Sequence, residues 1–256
     1  MFIPLHDANA LRHIRLQYVT IGLIIANVLV HLLTVAGTPQ QVSAAQLEFG
    51  FTPALFTDLR QLAPGLLQVP DSVTLVSYAF FHIDWLHLGG NMLFLWVFGD
   101  NVEDAMGHVR FLVFYLLCAA GAALMHLAVD PGSDLPLIGA SGAIAGVLAA
   151  YLVLHPKVRV WILAFGRIPL RVPAWMALAA WIGFQIFMLV STPQDAISWA
   201  AHVGGILTGL VLVVPFRRRG VPLLDREIQT PRAVRTGQNV NAEPPPLPRA
   251  RWGRGD

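Results

Sequence analysis

Charge is scarce in this sequence. Only 12% of its 256 residues are charged, about half of the roughly 25% usual in a soluble domain, while 55% are hydrophobic. That balance excludes an ordinary water-soluble domain. Cysteine is nearly absent as well: Cys118 stands alone, so no intramolecular disulfide and no cysteine-based zinc site can form. A helical His-Glu-x-x-His is missing, and His82 and His87, five apart, do not make the one-face pair that a zinc protease needs. No metal, cofactor or nucleic-acid partner is expected. There is no internal repeat of the kind that marks many transporters. Met1 to Tyr18 includes His6, Asp7, Arg12, His13 and Arg15 without a long apolar stretch, so no removed signal peptide is expected.

What is abundant is long apolar runs, several near the ~20 residues that cross a bilayer. Six spans are predicted: Val19 to Val35, Leu75 to Gly99, Val109 to Val129, Gly139 to Leu154, Ala174 to Val190 and Ala196 to Pro215. With both termini cytoplasmic, Arg12, Arg15, Arg110, Lys157, Arg159, Arg167, Arg171 and every basic residue from Arg217 onward fall inside, and Arg60 alone falls outside. That is the bias of the positive-inside rule. The chain reads as an all-α membrane protein in three parts: a cytoplasmic N-terminal segment (1–17), a six-helix domain (18–215) and a basic, disordered cytoplasmic tail (216–256). A bacterial plasma membrane is the expected location. Trp96, Trp161, Trp175 and Trp199 fall near span ends, as interfacial anchors do. The outer loop Ala36 to Thr74 is rich in Phe and Leu and is expected to lie partly in the membrane interface.

Polar groups inside spans are costly and need a reason. His87 and Asn91 are four apart, so on a helix they project from one face about one turn from each other. Ser141 opens the fourth span in Gly139-Ala140-Ser141-Gly142-Ala143, and His202 lies in the sixth within Ala201-His202-Val203-Gly204-Gly205. From Gly139 to Leu154 the fourth span rises only about 24 Å, short of the ~30 Å hydrocarbon core, and Pro156 and Lys157 fix its inner end. Ser141 is therefore expected below the outer surface, behind a dipping loop Asp130 to Ile138. Ser141, Ala145 and Ala149 share one helix face, and His202, Gly205 and Gly209 share another. Small residues on both faces let two membrane helices approach closely enough for hydroxyl and imidazole to meet. Taken singly, such a serine is more often a packing residue, and such a histidine or asparagine is often structural hydrogen-bonding glue. Together they supply a nucleophile, a base and oxyanion donors in complementary roles.

These residues resemble the rhomboid family of intramembrane serine proteases. Phe80-Phe81-His82-Ile83-Asp84-Trp85-Leu86-His87-Leu88-Gly89-Gly90-Asn91-Met92 is similar to the family's second-span signature, Gly139-Ala140-Ser141-Gly142 to its GxSG motif, and Ala201-His202-Val203-Gly204-Gly205 with Gly209 to its AHxxG motif. The resemblance covers about Tyr18 to Pro215 and implies a rhomboid-like bundle of six transmembrane helices. By position it makes Ser141 the nucleophile and His202 the general base in a dyad without a third carboxylate. The Ser141 N–H with the His87 and Asn91 side chains would hold the oxyanion. His82, Gly139, Gly142, Gly205 and Gly209 would be structural neighbours of the site. The implied substrates are single-pass transmembrane proteins embedded in the lipid bilayer, entering by the fifth span and the loop Ser191 to Asp195; Trp181 and Phe184 are candidate gate residues.

The pattern also departs from the family. Val73 and Thr74 stand where a Trp-Arg pair is common. Ala145 stands where many members carry an aromatic that stacks on the base, so His202 is expected to be oriented by close helix packing alone. Glu103 with Gly107 resembles a family feature and is expected to cap or brace a loop. The main alternative is a catalytically inactive rhomboid-like protein that binds membrane clients, although such relatives usually lose the serine or the histidine and this chain keeps both. A small transporter with a histidine relay would require repeats and mid-span acids that the sequence lacks.

Overall fold

The computed structural model describes residues 2–67, 69–192 and 197–224. In chain order these form β1 (Phe2–Asp7), α1 (Tyr18–Val35), α2 (Pro39–Phe49), α3 (Pro53–Phe56), α4 (Asp71–Ser77) with a following 3-10 turn Tyr78–Phe80, α5 (Trp85–Met106), α6 (His108–Val129), α7 (Ser141–Leu154), β2 (Arg159–Ala164), β3 (Ile168–Pro173), α8 (Ala174–Ser191) and α9 (Trp199–Phe216). The protein is mostly helical. By length and composition, four helices can cross a membrane: α1, α6, α8 and α9. α7 is apolar but has only 14 residues. α5 has 22 residues and carries Asn91, Asp100, Asn101, Glu103 and Asp104.

α7 is the axis of the bundle. Every residue from Gly142 to Tyr151 is buried, as in a helix with no polar face that sits in a core. It packs against α5, α6, α8 and α9, while α1 lies outside against α5. Sequence signals set the helix ends. Thr38 and Gln41 form a reciprocal capping box before Pro39. Gly107, at φ 86°, lets the chain leave α5 and enter α6 in one residue.

The predicted second span needs correction. Helix does not run through Leu75 to Gly99: the backbone is extended at Phe81 and restarts at Trp85. The cause is Asp84, whose side chain accepts the His87 N–H at 2.7 Å as an N-cap. A carboxylate read as a polar residue inside a span is the device that begins the helix. The loop Ala36 to Thr74 contains α2, α3 and the start of α4. It braces the segment before Ser141: Phe51 and Leu137 exchange backbone hydrogen bonds of 3.2 and 2.8 Å, and the Ala54 N–H donates to the Ser133 carbonyl at 3.0 Å. Arg60, the basic residue set apart by the span prediction, pairs with Asp134 at 3.1 Å.

The opposite end carries a three-stranded antiparallel sheet, ordered β1-β2-β3, which the all-α expectation omits. β2 and β3 form a hairpin whose turn uses left-handed backbone at Phe165 and Gly166. β1 adds to the free edge of β2, with a bulge between Pro4 and His6. The strands are short and flanked by basic residues, so hydropathy alone gave them no signal. Residues 2–17 are thus built into the fold. Asp104 accepts from the backbone N–H groups of Arg12, His13 and Ile14. Glu103, fully buried, accepts from the N–H groups of Val19 and Thr20 and from the Thr20 hydroxyl, which matches its expected capping role. Beyond Phe216 the chain packs back, with the Arg218 N–H on the Ala105 carbonyl at 2.8 Å and the Leu224 N–H on the Val153 carbonyl at 2.7 Å. The first residues assigned to a disordered tail are therefore ordered, and 225–256 lie outside the described residues.

Asp7 ties the sheet to the bundle. It is 4% exposed, and its Oδ2 accepts from the Tyr151 hydroxyl at 2.7 Å and the Asn101 amide at 2.8 Å. Burial pushes its carboxyl up to about 6 from the ordinary 3.8, against a smaller opposing pull from the Tyr151 hydrogen bond. Between those two values the folded protein binds more protons than the unfolded chain, so this contribution to stability is greatest at low pH and falls as pH rises through the window. Thermal unfolding between pH 4 and 7 is expected to show that slope, with Asp7→Asn flattening it; an unaltered slope in the variant would remove Asp7 as its source.

Candidate active site

Two helices 61 residues apart in sequence bring a hydroxyl to an imidazole: Ser141 Oγ lies 2.9 Å from His202 Nε2. Ser141 is the first residue of α7, and His202 sits one turn into α9 behind its cap, Ser198, whose Oγ accepts the Ala201 N–H at 3.1 Å. Ser141 and His202 are only partly buried, so neither is sealed from its surroundings.

Glycine makes this approach possible. A Cβ on Gly205 would overlap the Gly142 carbonyl, and one on Gly209 would overlap the Gly146 backbone. The two helix backbones therefore touch without intervening side chains. Small-on-small packing was expected, and the closest approach on α7 is made by Gly142 and Gly146. Ala145 also lies beside Gly205, and Ala145 and Ala149 cluster with Ile206 of α9 and with Trp181 and Ile182.

Ahead of Ser141, Gly139 adopts φ 119°, which suits glycine. A Cβ there would stand 2.7 Å from His87 Nε2 and 3.8 Å from Asn91 Nδ2. Both side chains of the second-span signature thus converge on the turn that presents Ser141. Asn91 Nδ2 is buried with no hydrogen-bond partner among the described residues, an uncompensated donor that ordinarily costs free energy. An oxygen developing charge beside Gly139 would supply the missing acceptor.

His82 precedes α5, and its ring meets that of His87 edge to face at 5.0 Å. His82 is 2% exposed, and its Nε2 lies 3.5 Å from the Ala140 N–H, in the turn before Ser141.

The orientation of His202 also differs from expectation. Packing alone does not hold it, because the Gln185 Oε1 lies 2.8 Å from its Nδ1, and Trp199 and Trp181 flank the ring at 5.8 and 6.3 Å. Trp199 is 7% exposed, so it is a wall of the site and not an interfacial anchor. The small Ala145 leaves room for Trp181 to come in from α8. Sequence reasoning missed Gln185, although an amide amid the apolar run of α8 was its available signal. Of the predicted entry loop, residues 193–196 lie outside the described residues.

A profile of the Rhomboid domain matches residues 70–219, more than half of the chain. The chain belongs to the rhomboid family. This rhomboid is 30% identical over 152 residues to "Rhomboid protein 1, mitochondrial" of Saccharomyces cerevisiae, covering 56% of this chain and 41% of that protein. It is 30% identical over 161 residues to "RHOMBOID-like protein 12, mitochondrial" of Arabidopsis thaliana, covering 57% and 46%. It is also 28% identical over 138 residues to the human "Presenilin-associated rhomboid-like protein, mitochondrial", covering 51% and 34%. The matched part of this rhomboid thus spans less than half the length of each of these relatives.

The glycine contact yields a paired prediction. Gly205→Ala is expected to push α7 and α9 apart and cost roughly 1–3 kcal/mol by overpacking, read as a lowered thermal midpoint in detergent. Gly89→Ala, where a Cβ meets nothing within 4 Å, should be neutral or stabilising by up to about 1 kcal/mol. Equal midpoints for the two variants would contradict the close backbone approach.

Proposed function

We propose that this rhomboid is an intramembrane serine endopeptidase that hydrolyses peptide bonds in or near the transmembrane segments of single-pass membrane proteins. The observation that carries this reading is the 2.9 Å approach of Ser141 Oγ to His202 Nε2, next to a turn faced by the unpartnered Asn91 amide.

In the first step His202 Nε2 takes the Ser141 proton as Oγ bonds to the substrate carbonyl carbon. The carbonyl oxygen becomes an oxyanion, which accepts from the Ser141 N–H and the His87 and Asn91 side chains. The N–H of the first residue of a helix has no acceptor within its own helix, so it is free for this role. Collapse of the intermediate breaks the C–N bond, and the imidazolium gives its proton to the leaving amine. Water, deprotonated by the same imidazole, then attacks the ester, and Ser141 recovers its proton as the acid product leaves.

The six-span arrangement belongs to this proposal. α5 and α7 accompany the four helices that are long and apolar enough to cross a membrane, and the basic end bearing the sheet faces the cytoplasm or its topological equivalent. The relatives compared above carry mitochondrial names, so these comparisons do not point to the bacterial plasma membrane expected from the sequence. A rhomboid-like protein that only binds clients would not need the hydroxyl, the imidazole and the amide donor in register.

Purified protein in detergent or liposomes is expected to cleave a single-span substrate without added metal and to react with a fluorophosphonate probe. Ser141→Ala and His202→Ala should each abolish cleavage. Asn91→Ala should lower turnover by roughly 10²–10³ with the thermal midpoint retained. Turnover that survives Ser141→Ala would end the serine mechanism.

A further inference from the structure

In the second half of α8 the side chains mostly face outward: Phe184, Ile186 and Phe187 are 49%, 50% and 63% exposed, whereas Gln185 is 2% exposed. A primary amide buried in an apolar helix requires partners, and this one has two. Its Nε2 donates to the Trp181 carbonyl one turn earlier at 3.3 Å. Its Oε1 faces His202 Nδ1 at 2.8 Å.

The amide orientation follows from that network. Because the Trp181 carbonyl can only accept, the NH₂ group belongs on its side and the oxygen belongs on the imidazole side. An amide oxygen can only accept, so the proton of neutral His202 must sit on Nδ1. The Nε2 lone pair then points at Ser141 Oγ, which is the tautomer a general base requires.

We propose that Gln185 is the positioning residue of the dyad, its side-chain carbonyl holding His202 ring and tautomer in the orientation that accepts the Ser141 proton. This deepens the protease reading and rests on it. When the proton passes from Oγ to Nε2 the ring becomes cationic, and the bond from Nδ1–H to Oε1 becomes a charge-assisted one. No proton moves to Gln185. A neutral dipole is suited to this depth, since a carboxylate would bring a desolvation cost of several kcal/mol. Trp181, one turn away on the same helix, backs the ring. The dyad is therefore competent only while α8 is seated against α9.

The test uses the full chain in detergent with a single-span substrate, comparing wild type, Ser141→Ala, Gln185→Met and Gln185→Glu. Methionine keeps most of the volume and removes the acceptor. It is expected to lower kcat by about tenfold or more, with KM and thermal midpoint near wild type, because a base in the wrong tautomer loses its general-base contribution. Glutamate retains the acceptor and adds charge, so it should keep kcat near its optimum while moving the acid limb of the pH–rate profile upward through a stabilised imidazolium. Other titratable groups around the ring are His87 on α5 and, through Ser198, His126 on α6; the variants leave both in place. Wild-type kcat in Gln185→Met, a loss confined to KM or matched by unfolding, or a kcat in Gln185→Glu as low as that of Gln185→Met would each overturn the proposal. If wild type shows no Ser141-dependent labelling by a fluorophosphonate, the protease reading fails and this role fails with it; normal labelling of wild type with equal rates in Gln185→Met defeats the role alone.

Discussion

The backbone contact between α7 and α9 is the constraint on which the site depends. Helices dressed with ordinary side chains pack with axes 8–10 Å apart. At Gly142 against Gly205 and Gly146 against Gly209 there is no room even for a methyl group. Only at that separation do a residue on the first turn of α7 and another on the first turn of α9 come within hydrogen-bonding distance. In lipid no hydrophobic effect forces two helices together, so association relies on close van der Waals packing. Burial of α7 on all sides follows, because α5 and α6 must close the remaining faces.

A second layer holds what approaches the dyad. Outer segments α2 and α3 pin the turn before Ser141 through Phe51 and Leu137, and His82 and His87 stand behind that turn. At the far end, Glu103 and Asp104 cap α1 and the chain leading to it, and Asp7 joins β1 to α5 and α7. Buried carboxylates with several donors each are costly when a donor is lost, so these links specify one arrangement of the helices around α7. Precision at one end is supported by polar bracing at the other.

Much of this was legible in the residues and some was not. Spans close to α1, α6, α8 and α9 emerged because long apolar runs report lipid burial directly, and His87, Asn91, Ser141 and His202 stood out because polar groups are rare there. The sheet was invisible, since its strands are only six residues long, β2 and β3 carry basic side chains, and β1 pairs with β2 across more than 150 positions. The start of α5 was misplaced because Asp84 acts through a local cap that hydropathy does not register. Gln185 escaped notice because it acts only through a helix that must first dock, and Trp181, singled out as a candidate gate, flanks the His202 ring. Trp199 looked like an anchor by position and became a wall by packing. One-dimensional patterns report solvent preference well and partner identity poorly.

Ser141 opening α7 has a consequence for how the proposed hydrolytic centre would exist in hydrocarbon at all. The groups that meet there are a hydroxyl, two amides, imidazoles and the leading end of a helix, and none is a carboxylate. The partial positive character of a helix start, about half an elementary charge, offers an electrostatic welcome to a transient anion without a permanent ion that would need hydration or a counterion between turnovers. Such a centre can rest electroneutral in a low-dielectric slab and separate charge only while a substrate is passing through it.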